Sequence, residues 1–295
     1  MTQDFQTRSH STNKITLFSL QILHGLSQIM LQKNPLTGAL ILIAITASSL
    51  TAGIATLFAT ICGTATALWI SGDRQAICDG LYGFNAALVG VALAVFFKPV
   101  LIIWIFIAAG AACTTLIHHF FIRKKVPAFT LAFVLVTWII YYSLRTYAPQ
   151  LMNTPSSDVS VDYAEIYFTP LRGFAQVVFQ SAIISGILLV IGVALHTLMG
   201  ALYGIIAAVA GALVAYYMGA PEADILNGLF GYNAVLCALE FSGKKLNHIP
   251  FVAMAVILGI LFNQLLGNTS VLQLTFPFVV ASFITQTIKN TLQRQ

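Results

Sequence analysis

Six polar side chains stand in stretches of the chain that are otherwise apolar: Gln28, Asn85 and Thr130 in the first half, Gln176, Asn233 and Thr275 in the second. They offer hydrogen bonding without charge: side-chain carbonyls and hydroxyls accept from N–H donors, and the amide NH₂ donates. Left unpaired in an apolar surrounding, such a group is costly. Each must therefore have a partner or face a polar path. Two roles stay open for the asparagines and threonines: tying off backbone groups where a helix breaks, or meeting a solute. In the second role the chemistry is binding or passage of an uncharged solute, since these side chains make and break no bonds.

The spacing of the six is regular. Gln176 follows Gln28 by 148 residues, Asn233 follows Asn85 by 148, and Thr275 follows Thr130 by 145. Whole phrases repeat with them. "GLYGFNAALVGVAL" at Gly80 returns as "GLFGYNAVLCALEF" at Gly228, "HGLSQIMLQ" aligns with "RGFAQVVFQ", and "VPAFTLAF" at Val126 resembles "VLQLTFPF" at Val271. Gly25, Gln32 and Gly38 map onto Gly173, Gln180 and Gly186. Shared apolar composition would align leucines and alanines, not glutamines, asparagines and glycines across three motifs. The chain is an internal duplication, a mark of transporter and channel folds.

The elements that must position these residues are membrane helices. Of 295 residues, 58% are hydrophobic and 8% charged, against roughly 25% charged in soluble domains, and the mean hydropathy is +0.89. Apolar runs of about 20 residues fit a bilayer. The fold class read from this is an all-α integral membrane protein. The net charge of +5 sits in loops and tails, where it orients the chain in the membrane; no nucleic-acid partner follows from it. The first residues, "MTQDFQTRSHSTNK", lack the pattern of a cleaved signal. Cys62, Cys78, Cys113 and Cys237 are scattered and imply neither zinc nor a disulfide framework. No cofactor or metal is expected.

Apolar runs between breakers predict full spans at 36–54, 55–70, 81–97, 100–121 and 126–144 in the first half, and at 183–199, 201–218, 229–241, 249–266 and 271–288 in the second. A shorter segment precedes each set, Leu17–Leu31 and Leu171–Gln180, and reads as a half-membrane re-entrant helix. The organisation is a polar tail (1–14), a first membrane repeat (15–146), an external connection (147–167) and a second repeat (168–295). Five spans is an odd number, so the second repeat enters from the opposite face: two inverted five-span repeats. With the N-terminus inside, Arg8, Lys14, Arg74, Arg123–Lys125, Lys244, Lys245, Lys289 and Arg294 fall inside, and only Lys98, Arg145 and Arg172 outside, which is the expected bias. Asp158, Asp162, Glu165, Glu222 and Asp224 fall outside.

Span centres lack carboxylates, lysines and arginines. Glu240, five residues before Lys245, and His196 read as interfacial, and His118 and His119, just before "FIRKK", as near the surface. An ion-coupled carrier keeps an ionisable residue in its path, so this pattern favours a neutral solute. A membrane enzyme would need clustered catalytic groups; the two aspartates of "DRQAICD" read as a loop whose counterpart is "PEADILN". An ammonium-type channel would have histidines at equivalent places, and His24 and His196 are not equivalent.

The phrases "SQIMLQKNPLTGALILI", "GLYGFNAALVGVALAVF" and "VPAFTLAF", with "AQVVFQ", "GLFGYNAVLCAL" and "LTFPF" in the second half, resemble the urea transporter family, and point to a bacterial member. The resemblance covers nearly the whole chain beyond residue 15. It implies passive, channel-type passage of urea through a pore in each protomer of a homotrimer, in the bacterial inner membrane, with both termini cytoplasmic and no enzymatic activity. By motif it implies oxygen sites at Gln28, Gln176, Thr130 and Thr275. It implies slots lined by Phe84, Leu88, Tyr232 and Leu236, with Leu31, Phe179, Ile29 and Val177 nearby. The chain departs from the family at Tyr232, where phenylalanine is usual, at Leu31 beside its aromatic mate Phe179, and at Ala132 and Leu272, where proline is common. The expected partners are urea and the lipid bilayer. The alternative is a channel or ion-coupled carrier for another small polar solute, ammonia or a short amide.

Overall fold

The computed structural model describes residues 13–70, 72–153, 163–243, 246–267 and 269–293. The expectations that rest on Arg8, Asp158, Asp162, Lys244, Lys245 and Arg294 lie outside these. Among the described residues the regular structure is helical, and the one strand-type bridge joins Phe97 to Met152. The protein is an all-α membrane protein.

Among the described residues, seven α-helices in the first half are matched in order by seven in the second. The first set is α1 (Lys14–Ser27), α2 (Pro35–Ser48), α3 (Leu50–Trp69), α4 (Arg74–Cys78), α5 (Gly83–Phe96), α6 (Leu101–Lys124) and α7 (Leu131–Tyr147). The second is α8 (Thr169–Gln176), α9 (Ile183–His196), α10 (Leu198–Tyr217), α11 (Glu222–Leu226), α12 (Tyr232–Phe241), α13 (Ile249–Gly267) and α14 (Phe276–Leu292). Four of these described helices, α3, α6, α10 and α13, are each long and apolar enough to cross a bilayer alone. The other expected spans are shorter, down to the ten residues of α12. The difference has a local cause: the chain breaks its helices where the repeated motifs stand.

The first break follows α1. Leu31 and its counterpart Phe179 take left-handed backbone, φ 58° and 59°, and the next residue closes the turn in each half: Gln32 N donates to Ser27 O (3.2 Å) and Gln180 N to Ala175 O (3.1 Å). Glycine is the usual residue there; a leucine and a phenylalanine hold it at a cost on the order of 1 kcal/mol or more each. The chain then bends by 74° into α2. Asn34 and Pro35 set that start, the asparagine side chain accepting from Leu36 N at 2.9 Å and the proline preset for a first helical turn.

The second break was expected near residue 54 and lies at Ser49. Ser49 is extended and its hydroxyl accepts from Ala52 N (3.2 Å), capping α3. Thr197 does the same for α10, accepting from Gly200 N at 3.2 Å, so the corresponding break also falls earlier than expected. A third break is at Gly80 and Gly228, with φ 80° and 79°. There a Cβ would stand 2.3 Å from the His24 carbonyl carbon or 2.4 Å from Gly173 N, so only glycine lets α4 and α11 turn back against α1 and α8.

The halves pack through reciprocal contacts. Thr37 Oγ1 donates to Gly192 O (2.6 Å) and Ser185 Oγ donates to Ala44 O (2.8 Å). Ser185 is the counterpart of Thr37 and Ala44 that of Gly192. Such exchange is what a two-fold relation between two surfaces produces. Around this seam one continuous buried core takes residues from both halves, among them Leu26, Phe133, Phe174 and Phe278. Outward faces carry Ile43, Ile105, Leu202 and Ile257 exposed, as hydrocarbon requires.

Candidate functional site

Gln28 and Gln176 stand at the ends of α1 and α8. Gln28 Nε2 donates to Asp79 O (2.9 Å), and Gln176 Nε2 donates to Asn227 O (3.0 Å). A backbone carbonyl can only accept, so the amide nitrogen must face it, and each Oε1 is turned the other way. Two glutamine carbonyls are thus held as oriented acceptors, one in each half. The same short helices are pinned by the neighbouring residues: His24 Nδ1 bonds Cys78 O (2.7 Å), and Arg172 Nη1 donates to Leu226 O (3.2 Å). Lys33 pairs with Asp79, and Arg172 with Glu165.

Asn85 and Asn233 tie off helix starts. Asn85 Nδ2 donates to Phe129 O (3.3 Å) and its Oδ1 accepts from Phe133 N (3.1 Å). Asn233 Nδ2 donates to Leu274 O (3.2 Å) and its Oδ1 accepts from Phe278 N (3.3 Å). Of the two roles open from sequence, the asparagines take the backbone role, at the first turns of α7 and α14 rather than in their own helices. Phe129 and Leu274 are again left-handed, φ 47° and 45°.

Thr130 and Thr275 follow directly, as the residues just before α7 and α14. Neither side chain caps its own helix. The two hydroxyls bond each other, Oγ1 to Oγ1 at 2.7 Å, and both residues are buried. The N-terminal ends of α7 and α14 therefore converge on one hydroxyl pair. Helix N-termini carry partial positive charge, so a carbonyl oxygen is favoured here and a cation is not.

A cavity of about 640 Å³ reaches Thr275 of this pair. Five of the sequence-predicted residues line it: Gln176, Val177, Phe179, Tyr232 and Thr275. The first half contributes Phe96, which sequence reasoning missed and which meets Phe179 edge to face at 5.5 Å. Phe179 also packs against Phe133 at 6.2 Å. Gln28, Thr130, Ile29, Leu31, Phe84, Leu88 and Leu236 do not line this cavity. Ile29, Leu88 and Leu236 are within the buried apolar core, Phe84 is buried beside them, and Leu31 packs against it half-buried.

His118 lies deeper than expected. It is buried in α6, with its Nδ1 3.3 Å from Asn85 Nδ2 and its ring edge-on to Phe84 at 5.3 Å. Its place is filled in the second half by Asn263 of α13, whose Oδ1 accepts from Asn233 Nδ2 at 2.9 Å. The two are 145 residues apart, the offset of the threonines, and that spacing was the available signal. His119, half-buried, accepts or donates at Tyr82 Oη (2.8 Å). His196 is exposed, as an interfacial residue should be. The expected neighbour of Glu240, Lys245, lies outside the described residues; the described charge acting on Glu240 is that of Lys289.

The loop 271–275 is held from several sides. Trp138 Nε1 donates to Leu272 O (2.7 Å), Leu272 N donates to Tyr142 Oη (2.8 Å), and Tyr232 Oη donates to Leu274 O (2.7 Å). Thus α7 of the first half grips the segment that carries Thr275 in the second.

The arrangement as a whole offers fixed oxygens, aromatic walls and an uncharged midpoint to a solute that hydrogen-bonds without charge. The sequence model described as "Urea transporter" matches residues 20–290. The chain is 27% identical over 288 residues to Urea transporter 1 of Rattus norvegicus, covering 89% of this chain and 75% of that protein. It is 28% identical over 306 residues to Urea transporter 1 of Mus musculus, covering 91% and 77%, and 26% identical over 303 residues to that of Ovis aries. These relatives are transporters, not enzymes, and with the family match spanning nearly all of its length, this chain belongs to the urea transporter family.

Proposed function

We propose that this chain conducts urea passively across a membrane, along a path between its two halves that passes Gln176, the Thr130–Thr275 pair and Gln28. The observation that carries the reading is the pair of oriented glutamine carbonyls, each held by its own N–H₂ to a backbone carbonyl, one in each half. Urea is flat and neutral, with four N–H donors and one carbonyl. Phe179 and Tyr232 on one side and Phe84 on the other supply apolar faces for the flat molecule. Side-chain oxygens replace the water its N–H groups lose. A cation stripped of water finds no charged side chain hydrogen-bonded to the Thr130–Thr275 pair. The family resemblance adds Leu31, Ile29, Val177, Leu88 and Leu236 to the walls of the two slots.

The halves are inverted in the membrane, each with a half-membrane re-entrant segment. Support comes from the odd span count, the 74° bend after α1 and the bias of basic residues to one side. The chain is a bacterial inner-membrane protein with both termini cytoplasmic, and three copies assemble, each with its own path; the family resemblance supports these statements.

Stopped-flow urea flux in proteoliposomes, with acetamide, ammonium and glycerol as comparators, tests the reading. Urea flux well above protein-free vesicles, unchanged by an ionophore, is expected. Concentrative uptake abolished by the ionophore would replace it with an ion-coupled carrier, and faster ammonium than urea would replace the solute.

A further inference from the structure

One difference between the two halves lies at a single carbonyl oxygen of the site. A carbonyl oxygen has two lone pairs. In the first half, Phe129 O accepts one hydrogen bond, from Asn85 Nδ2 at 3.3 Å. In the second half the equivalent Leu274 O accepts two, from Asn233 Nδ2 at 3.2 Å and from Tyr232 Oη at 2.7 Å. Phe84, the counterpart of Tyr232, has no hydroxyl to give. The difference does not come from unlike backbones: both carbonyl residues are left-handed, and each precedes its threonine. Tyr232, Leu274 and Thr275 all line the 640 Å³ cavity.

We propose that Tyr232 sets solute selectivity by saturating the Leu274 carbonyl, so that this carbonyl asks for no N–H donor from the solute. This rests on the reading of the chain as a urea channel. Urea carries an NH₂ at each end of its plane, whereas acetamide has an NH₂ at one end and a methyl at the other. With an open carbonyl on each side, the methyl of acetamide would leave one acceptor unpaired and desolvated. With Leu274 O already filled, the methyl meets no unpaired acceptor there. The wild-type path therefore tolerates solutes with one amide end. The proton of the Tyr232 hydroxyl is committed to Leu274 O, so the hydroxyl has none left to donate to the solute carbonyl.

Two reciprocal variants test this by the ratio of urea to acetamide flux in proteoliposomes. Tyr232→Phe reopens the Leu274 carbonyl, and the ratio should rise roughly three- to tenfold, the worth of one net hydrogen bond. Phe84→Tyr should fill the Phe129 carbonyl and lower the ratio. A purely structural role for the hydroxyl would change both fluxes by one factor and leave the ratio alone; unchanged ratios in the two variants overturn the proposal. If Tyr232→Phe does not assemble, Phe84→Tyr carries the test. A wild-type protein that conducts no urea refutes the urea reading itself, and a conducting wild type with unmoved ratios refutes only the role of Tyr232.

Discussion

Thr130 Oγ1 and Thr275 Oγ1 are hydrogen-bonded at 2.7 Å, although 145 residues separate them in the chain. Equivalent residues of the two halves thus meet at the point where α7 and α14 begin, and each satisfies the other. Removing one hydroxyl leaves the other buried without a partner, a cost of about 1–3 kcal/mol.

That asymmetry separates structure from conduction. Thr130→Val alone should lower the melting temperature by several degrees, while the double variant Thr130→Val, Thr275→Val should recover much of the loss. Flux per assembled protein should nevertheless fall in the double variant by roughly ten- to a hundredfold, since no hydroxyl remains for the desolvated solute at the midpoint. Normal flux in the double variant would take these threonines out of the path.

Asn85 and Asn233 should be far less tolerant of an isosteric change than a solute-binding residue would be. Asn85→Asp replaces the donor to Phe129 O with a carboxylate oxygen, so two acceptors face each other in a buried place. The expected outcome is loss of stability by about 2 kcal/mol or more, seen as reduced yield of folded protein in detergent. Asn233→Asp should behave likewise at Leu274 O. A stable variant with altered flux would mean that the solute, and not the helix start, is the main partner.

Gly80→Ala and Gly228→Ala should both abolish assembly, and to a similar degree. Each glycine is left-handed, and an added Cβ lands 2.3 Å from the His24 carbonyl carbon in one half and 2.4 Å from Gly173 N in the other. Backbone atoms on both sides leave no flexible group to yield. Size-exclusion profiles of the two variants measure this, and a normal profile for either would show that the close approach relaxes.

Orientation is open to cysteine labelling in a background lacking the four native cysteines. Ser157→Cys in the connection between the halves should react with an impermeant reagent from outside. Thr12→Cys should react only after the membrane is opened. The reverse pattern would turn the protein over, and labelling of both from one side would remove the inverted relation of the halves.

Much of this protein follows from local chemistry and is legible along the chain. Hydropathy and the scarcity of charge make it a membrane protein, because a bilayer rewards apolar runs wherever they occur in sequence. The duplication is legible because Gln28, Asn85 and Thr130 return at nearly constant spacing. Helix starts such as Asn34–Pro35 are local as well. What the chain alone left open are matters of partners far apart in sequence. Whether Asn85 faced a solute or a backbone depended on Phe129 and Phe133, which only packing of α5 against α7 brings within reach. His118 reads as a surface residue beside "FIRKK", yet α6 packs on α5 and buries it against Phe84 and Asn85. The break at Ser49 shows only once its hydroxyl is seen on Ala52 N, because an apolar run hides a helix end that costs it no apolar residue. The inequality of the halves at Tyr232 is one hydroxyl in sequence; that it fills a carbonyl 42 residues away is decided by the tertiary structure, since hydrogen bonds form between atoms that the fold places within about 3 Å of each other.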